Sequence, residues 1–97
     1  MSAKQKKRLE WSRRSAHDLL DIEDYIARDN QSAADAVIAH IRQRASLLES
    51  DPLLGKRRVT TSHRELVLTR FPFTIVYRVS GDNVLISRVV HQRMRFP

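Results

Sequence analysis

Residues 71–91 read FPFTIVYRVSGDNVLISRVVH. Two runs rich in branched and aromatic side chains, Phe73–Val79 and Val84–His91, flank Ser80-Gly81-Asp82-Asn83, whose composition is that of a hairpin turn. Phe73, Ile75, Tyr77 and Val79 share one strand face, and burying such a one-sided row is what closes a small domain. Phe71, Phe73, Tyr77 and Phe96 have the alternative use of stacking on bases, but for the strand residues core is the expectation. A third run, Arg64–Leu68, precedes them across the short link Thr69–Pro72, so the C-terminal half is predicted to be an antiparallel meander.

Working back towards the N-terminus, the period changes from two to about 3.6. Ala16, Leu19, Ile22 and Ile26 predict an amphipathic helix over 13–28, with Ser12 or Ser15 as its cap and Ser15/Asp18 at capping-box spacing. Asp18, Asp21 and Asp24 read as its solvated face. After Asp29-Asn30-Gln31, the set Ala34, Val37 or Ile38, Ile41, Ala45 and Leu48 predicts a second helix from a Ser32/Asp35 cap to about Ser50, stopped by Asp51-Pro52. The short connection makes the pair an antiparallel hairpin with one joint apolar face. Leu9–Trp11 is placed as an additional edge strand with Trp11 as a packing anchor, and Lys56-Arg57-Arg58 in the loop or hairpin between helix and sheet. The expected fold is α+β, with element order β-α-α-β-β-β, as one domain over residues 1–97.

The composition, 41% hydrophobic and 30% charged, suits a folded globule. There is no cysteine, which removes disulfides, thiolate metal sites and cysteine nucleophiles. The basic residues Lys4–Arg8 are followed by no apolar run of signal-peptide length, and no stretch reaches spanning length, so the expectation is a cytoplasmic protein without membrane contact. The net charge is +7, of which residues 51–97 carry +6 and residues 1–50 only +1. Such a field suits an anionic partner, either nucleic acid or an acidic protein surface, and Lys56, Arg57 and Arg58 are candidate contacts. Glycine-rich phosphate loops and nucleophile elbows are absent. His17, His40 and His63 stand apart from a second ligand at metal spacing, so neither a metal nor another cofactor is expected.

Glu10-Trp11-Ser12, Ala16, Asp18-Leu19, Ile22 and Tyr25-Ile26-Ala27, then Pro52 and Gly55, Arg64–Leu68, Phe71–Val79, and finally His91, Arg95 and Pro97 follow one another in a recognisable order. Together they resemble the RelE/ParE superfamily of bacterial type II toxins, with the C-terminal phrase most similar to the ParE side. The resemblance covers nearly the whole chain. It implies a toxin that arrests bacterial growth and is neutralised by a cognate antitoxin in a hetero-oligomeric complex. RelE-like members cut ribosome-bound mRNA, whereas ParE-like members act on DNA gyrase without a catalytic site of their own, and fold likeness does not choose between them.

Ribonucleolysis needs a base, an acid and cations around the phosphate. Arg64, Arg78, Arg93 and Arg95 occupy positions similar to those where nuclease relatives place phosphate-binding arginines, and His91 is the natural proton-transfer candidate. A second such group is scarce. Glu65 follows Arg64 directly, and strand parity sets those two on opposite faces; parity does the same to Arg88 and His91. The chain also stops at Phe96-Pro97, without the extra aromatic or acid–base residue that some relatives carry beyond the last strand. The expectation is therefore a gyrase-binding toxin that uses Arg64, Arg78, His91, Arg93 and Arg95 as contacts. A RelE-like mRNA interferase with catalytic His91, Arg78 and Arg64 is the enzymatic alternative. A degenerate toxin retained only as a co-repressor with its antitoxin is the third reading.

Overall fold

The computed structural model describes residues 6–94, excluding the side chain of Met94. Strand β1 (Arg8–Trp11) leads into helices α1 (Arg13–Ala27) and α2 (Gln31–Ser46), and a 3-10 turn, Leu47–Glu49, extends the second helix. Strands β2 (Lys56–Arg57), β3 (Arg64–Val67), β4 (Phe73–Ser80) and β5 (Asn83–His91) follow, and a last 3-10 turn covers Gln92–Met94. One five-stranded sheet forms in the order β1-β5-β4-β3-β2. The α+β expectation holds, with two differences. β1 is parallel to β5, so the sheet is mixed, and of the loop or hairpin expected around Lys56-Arg57 it is the hairpin that forms, adding a fifth, antiparallel edge strand paired with Glu65 and Arg64.

Both helices start where the backbone is still extended. The Ser12 hydroxyl accepts from the Ser15 N–H at 3.0 Å, and Asn30 Oδ1 accepts from the Ala33 N–H at 3.0 Å. The Ser15/Asp18 and Ser32/Asp35 capping boxes are not formed. Both serines lie inside helical turns, and buried Ser15 instead donates back to the Ser12 carbonyl at 2.9 Å.

The core is the layer between the helix hairpin and one sheet face. Leu19, Val37, Ile41, Ala45 and Leu48 pack on Leu66, Leu68, Phe73, Ile75, Tyr77, Val84, Ile86 and Val89. The row Phe73, Ile75 and Tyr77 is buried as expected, and Trp11 packs partly buried at its margin. Ile86 and Val89 are three residues apart, a spacing that plain alternation would send to opposite faces. A β-bulge resolves this: Val76 pairs with Arg88 but Tyr77 with Ile86, leaving Ser87 as the extra residue. Both aliphatic side chains therefore reach the core.

Beyond Ile86 the outer edge of β5 has no strand neighbour, since β1 ends at Trp11. The start of α1 fills the gap. The Ser12 N–H donates to the Ile86 carbonyl at 2.9 Å, the Ser12 hydroxyl to the Ser87 carbonyl at 2.9 Å, and the Val89 N–H to Asp18 Oδ2 at 2.9 Å. An exposed edge is thereby protected without another strand.

Candidate functional site

The register places the sequence-selected cations on both sides of the sheet. Arg64 lies opposite Tyr77 on the core-side face, while Arg78, the next residue of β4, projects exposed from the other face. His91 pairs with Phe73, so it shares the core-side face with Arg64 but stands four β4 residues away, roughly 13 Å along the strand. Buried Leu66 and Ile75 occupy the face between them. Arg93 is exposed in the terminal 3-10 turn. Arg95 and Pro97 lie outside the described residues.

Each residue has its own surroundings. The half-buried Arg64 donates from Nη1 to the Gly55 carbonyl at 2.9 Å. The His91 ring meets Phe73 edge-on at 5.4 Å, and its Nδ1 accepts the Arg93 N–H at 3.0 Å, so this nitrogen is an acceptor. Arg58 pairs with Glu65 at 3.4 Å, and its N–H donates to the His63 carbonyl at 3.1 Å. Lys56 and Arg57 are exposed on β2.

Two buried polar clusters were not foreseen. Asp18 is not part of a solvated face: it is 7% exposed. It receives Arg88 Nε at 2.9 Å, Arg88 Nη2 at 3.3 Å and the Val89 N–H at 2.9 Å, with Arg14 Nε at 3.5 Å. The signal was present in the sequence, because Asp18 falls in the Ser15, Leu19, Ile22 stripe and not among the outward residues. Arg88 and His91 also escape the parity rule. At an edge a long side chain can turn round the strand, and both residues line one shallow depression of about 260 Å³ together with Arg14, Ile22 and Phe73. In the second cluster the buried Tyr77 hydroxyl donates to the Pro52 carbonyl and accepts the Gly55 N–H, each at 2.8 Å. Burial holds the phenol pKa above its ordinary value of 10.0, opposed by the Gly55 N–H and by Arg64.

His40 lies against Phe71, ring centroids 5.2 Å apart, and its pKa is lowered by desolvation and then by the charges of Arg70 and Arg44. Among the described residues no three metal-binding side chains cluster, and no helix is long and apolar enough to cross a membrane. What the site offers chemically is dispersed, rigidly based positive charge. Arg64, Arg78 and His91 do not converge on one reacting atom.

Comparisons with known proteins agree with this architecture. The family model described as the ParE toxin of the type II toxin–antitoxin system parDE matches residues 9–96. The chain is similar to Y4kP of Sinorhizobium fredii (strain NBRC 101917 / NGR234), a curated protein named as a candidate toxin, with 37% identity over 92 residues and 95% of each chain covered. Among solved structures it is similar to a chain of the chromosomal ParDE system from P. aeruginosa, at a TM-score of 0.79 and 27% identity over 89% of this chain and 96% of that one. It also shares the fold of a chain of the RelBE2 toxin–antitoxin complex from Mycobacterium tuberculosis, at a TM-score of 0.65 and 21% identity over 94% and 97%.

Proposed function

Because the chain belongs to the ParE toxin family of type II toxin–antitoxin systems, we propose that it arrests bacterial growth by binding DNA gyrase and is neutralised by a cognate antitoxin. The observation that supports binding over cutting is the dispersal of Arg64, Arg78 and His91 across two faces and roughly 13 Å of strand. A phosphoryl-transfer site needs its base, acid and cations around one reacting phosphate. A protein-binding surface has no such requirement. Exposed Arg78 and Arg93, with His91 at the strand end and Arg95 beyond it, are the proposed target contacts. An acidic or amphipathic antitoxin segment would be steered by the +7 field and held by apolar anchors, in a hetero-oligomer.

The test is gyrase supercoiling with the purified chain at stoichiometric amounts. Inhibition that is relieved by Arg78→Glu and Arg93→Glu is expected; unaffected supercoiling by a chain that still arrests growth would refute the reading. One observation favours the second reading, an mRNA interferase: His91 and Arg88 do share a depression. Ribosome-bound messenger that stays intact in the presence of the chain disposes of it.

A further inference from the structure

Gly55 stands at the entrance to β2 and is held from both sides. Its N–H donates to the Tyr77 hydroxyl at 2.8 Å, its carbonyl accepts from Arg64 Nη1 at 2.9 Å, and that hydroxyl donates in turn to the Pro52 carbonyl at 2.8 Å. Tyr77 is fully buried, so the polar tip that clamps this loop sits on a side chain fixed by the core. Only glycine permits the approach. A Cβ at position 55 would lie 2.6 Å from Tyr77 Cε1 and 2.9 Å from the Glu65 carbonyl oxygen.

The segment held in this way exposes a mixed surface. Lys56 and Arg57 are exposed, while Arg58 is engaged by Glu65 and closes the hairpin through His63. Beside the two cations, Leu53 is 62% exposed, Leu54 is 41% exposed and Val59 is 99% exposed. Three exposed aliphatics within seven residues have no use against a phosphate backbone. They suit a protein interface, where apolar anchors and arginine combine.

We propose that the segment 53–59, which carries the β2 arm of the β2–β3 hairpin, is an interaction surface for an acidic protein partner, with Lys56 and Arg57 as its charged contacts and Tyr77 and Arg64 as positioning residues acting through Gly55. The clamp removes the loop freedom that binding would otherwise have to quench. Arg64, selected from the sequence as a contact, thereby acts one step behind the surface. This deepens the proposed function by naming where the target is held, and rests on that reading only for the partner's identity.

The experiment measures gyrase affinity of the full chain for wild type, Lys56→Glu/Arg57→Glu, Tyr77→Phe and the triple variant, all checked for folding by circular dichroism. The charge reversal is expected to weaken binding by about tenfold or more. Tyr77→Phe should also weaken it, and the triple variant should be no weaker than the charge reversal alone, because both changes act through one hairpin. Arg64→Gln replaces Tyr77→Phe in the cycle if the latter is unfolded. Losses that multiply, or a charge reversal that binds like wild type, overturn the proposal. So does displacement of gyrase by duplex DNA that depends on Lys56 and Arg57, since the surface would then serve nucleic acid. If wild type binds no gyrase, the proposed function fails by itself, and growth arrest judges the hairpin. Growth restored by soluble Lys56→Glu/Arg57→Glu supports the surface, and undiminished arrest overturns it.

Discussion

Asp18→Ala removes the one acceptor that serves both the Arg88 guanidinium and the Val89 N–H. Asp18 is 7% exposed and the Arg88 side chain 28% exposed, so water replaces neither partner freely. Deleting one member of a buried, hydrogen-bonded charge pair costs about 3–5 kcal/mol, much of it from the charge left behind. The orphaned Val89 N–H belongs to the same loss and is counted within it. About 4 kcal/mol is a large share of the ~5–15 kcal/mol expected for a domain of this size, and corresponds to roughly 15–30 °C in Tm. Asp18→Asn keeps an acceptor for Val89 but loses the charge facing Arg88, so about half that loss is expected. Asp21→Ala, on the exposed side of the same helix, should stay within about 0.5 kcal/mol. Urea unfolding of the three variants at neutral pH provides the measurement. An Asp18→Ala loss below about 1 kcal/mol with an unchanged m-value would refute the reasoning, because it would mean that Arg88 escapes to solvent and the β5 edge needs no acceptor.

Tyr77→Phe leaves the Gly55 N–H and the Pro52 carbonyl without their partner, and should cost about 2–3 kcal/mol in the same urea assay. The raised pKa of Tyr77 makes the folded state keep its proton after the unfolded chain has lost it. Wild type should therefore lose stability as pH rises from about 10 through the folded value, and the Phe variant should lack that component of alkaline unfolding. Gly55→Ala places a Cβ against Tyr77 and the Glu65 carbonyl, and should destabilise by about 1–3 kcal/mol in the same assay. His40 should titrate below 6.5 by NMR, and Arg70→Ala should move its midpoint upward, with Arg44 retaining a smaller effect. Since the folded state resists protonation there, the His40 contribution to stability is present above about 6.5 and lost as pH falls towards the folded value.

Much of the fold was legible because local patterning and burial agree. The period-two rows of 73–79 and 84–91 and the period-3.6 stripes of the two helices each select one face, and the joint apolar surface leaves one economical way to stack them. Composition likewise located the positive charge. The amino-acid sequence by itself thus determined the element types, the core row through Tyr77, and a basic C-terminal half belonging to a recognisable toxin family. Tertiary structure alone decided the parallel placement of β1, the β2 edge strand, the bulge at Ser87, and which cations are committed to structure. Strand parity describes where a side chain starts, not where a long one ends. Arg88 turns round an open edge to Asp18, and Arg64 is drawn to the Gly55 carbonyl, because unpaired polar groups brought close by packing cost more than the rotamer freedom needed to satisfy them. Those partners lie 70 and 9 residues away in the chain, and no local spacing rule connects them.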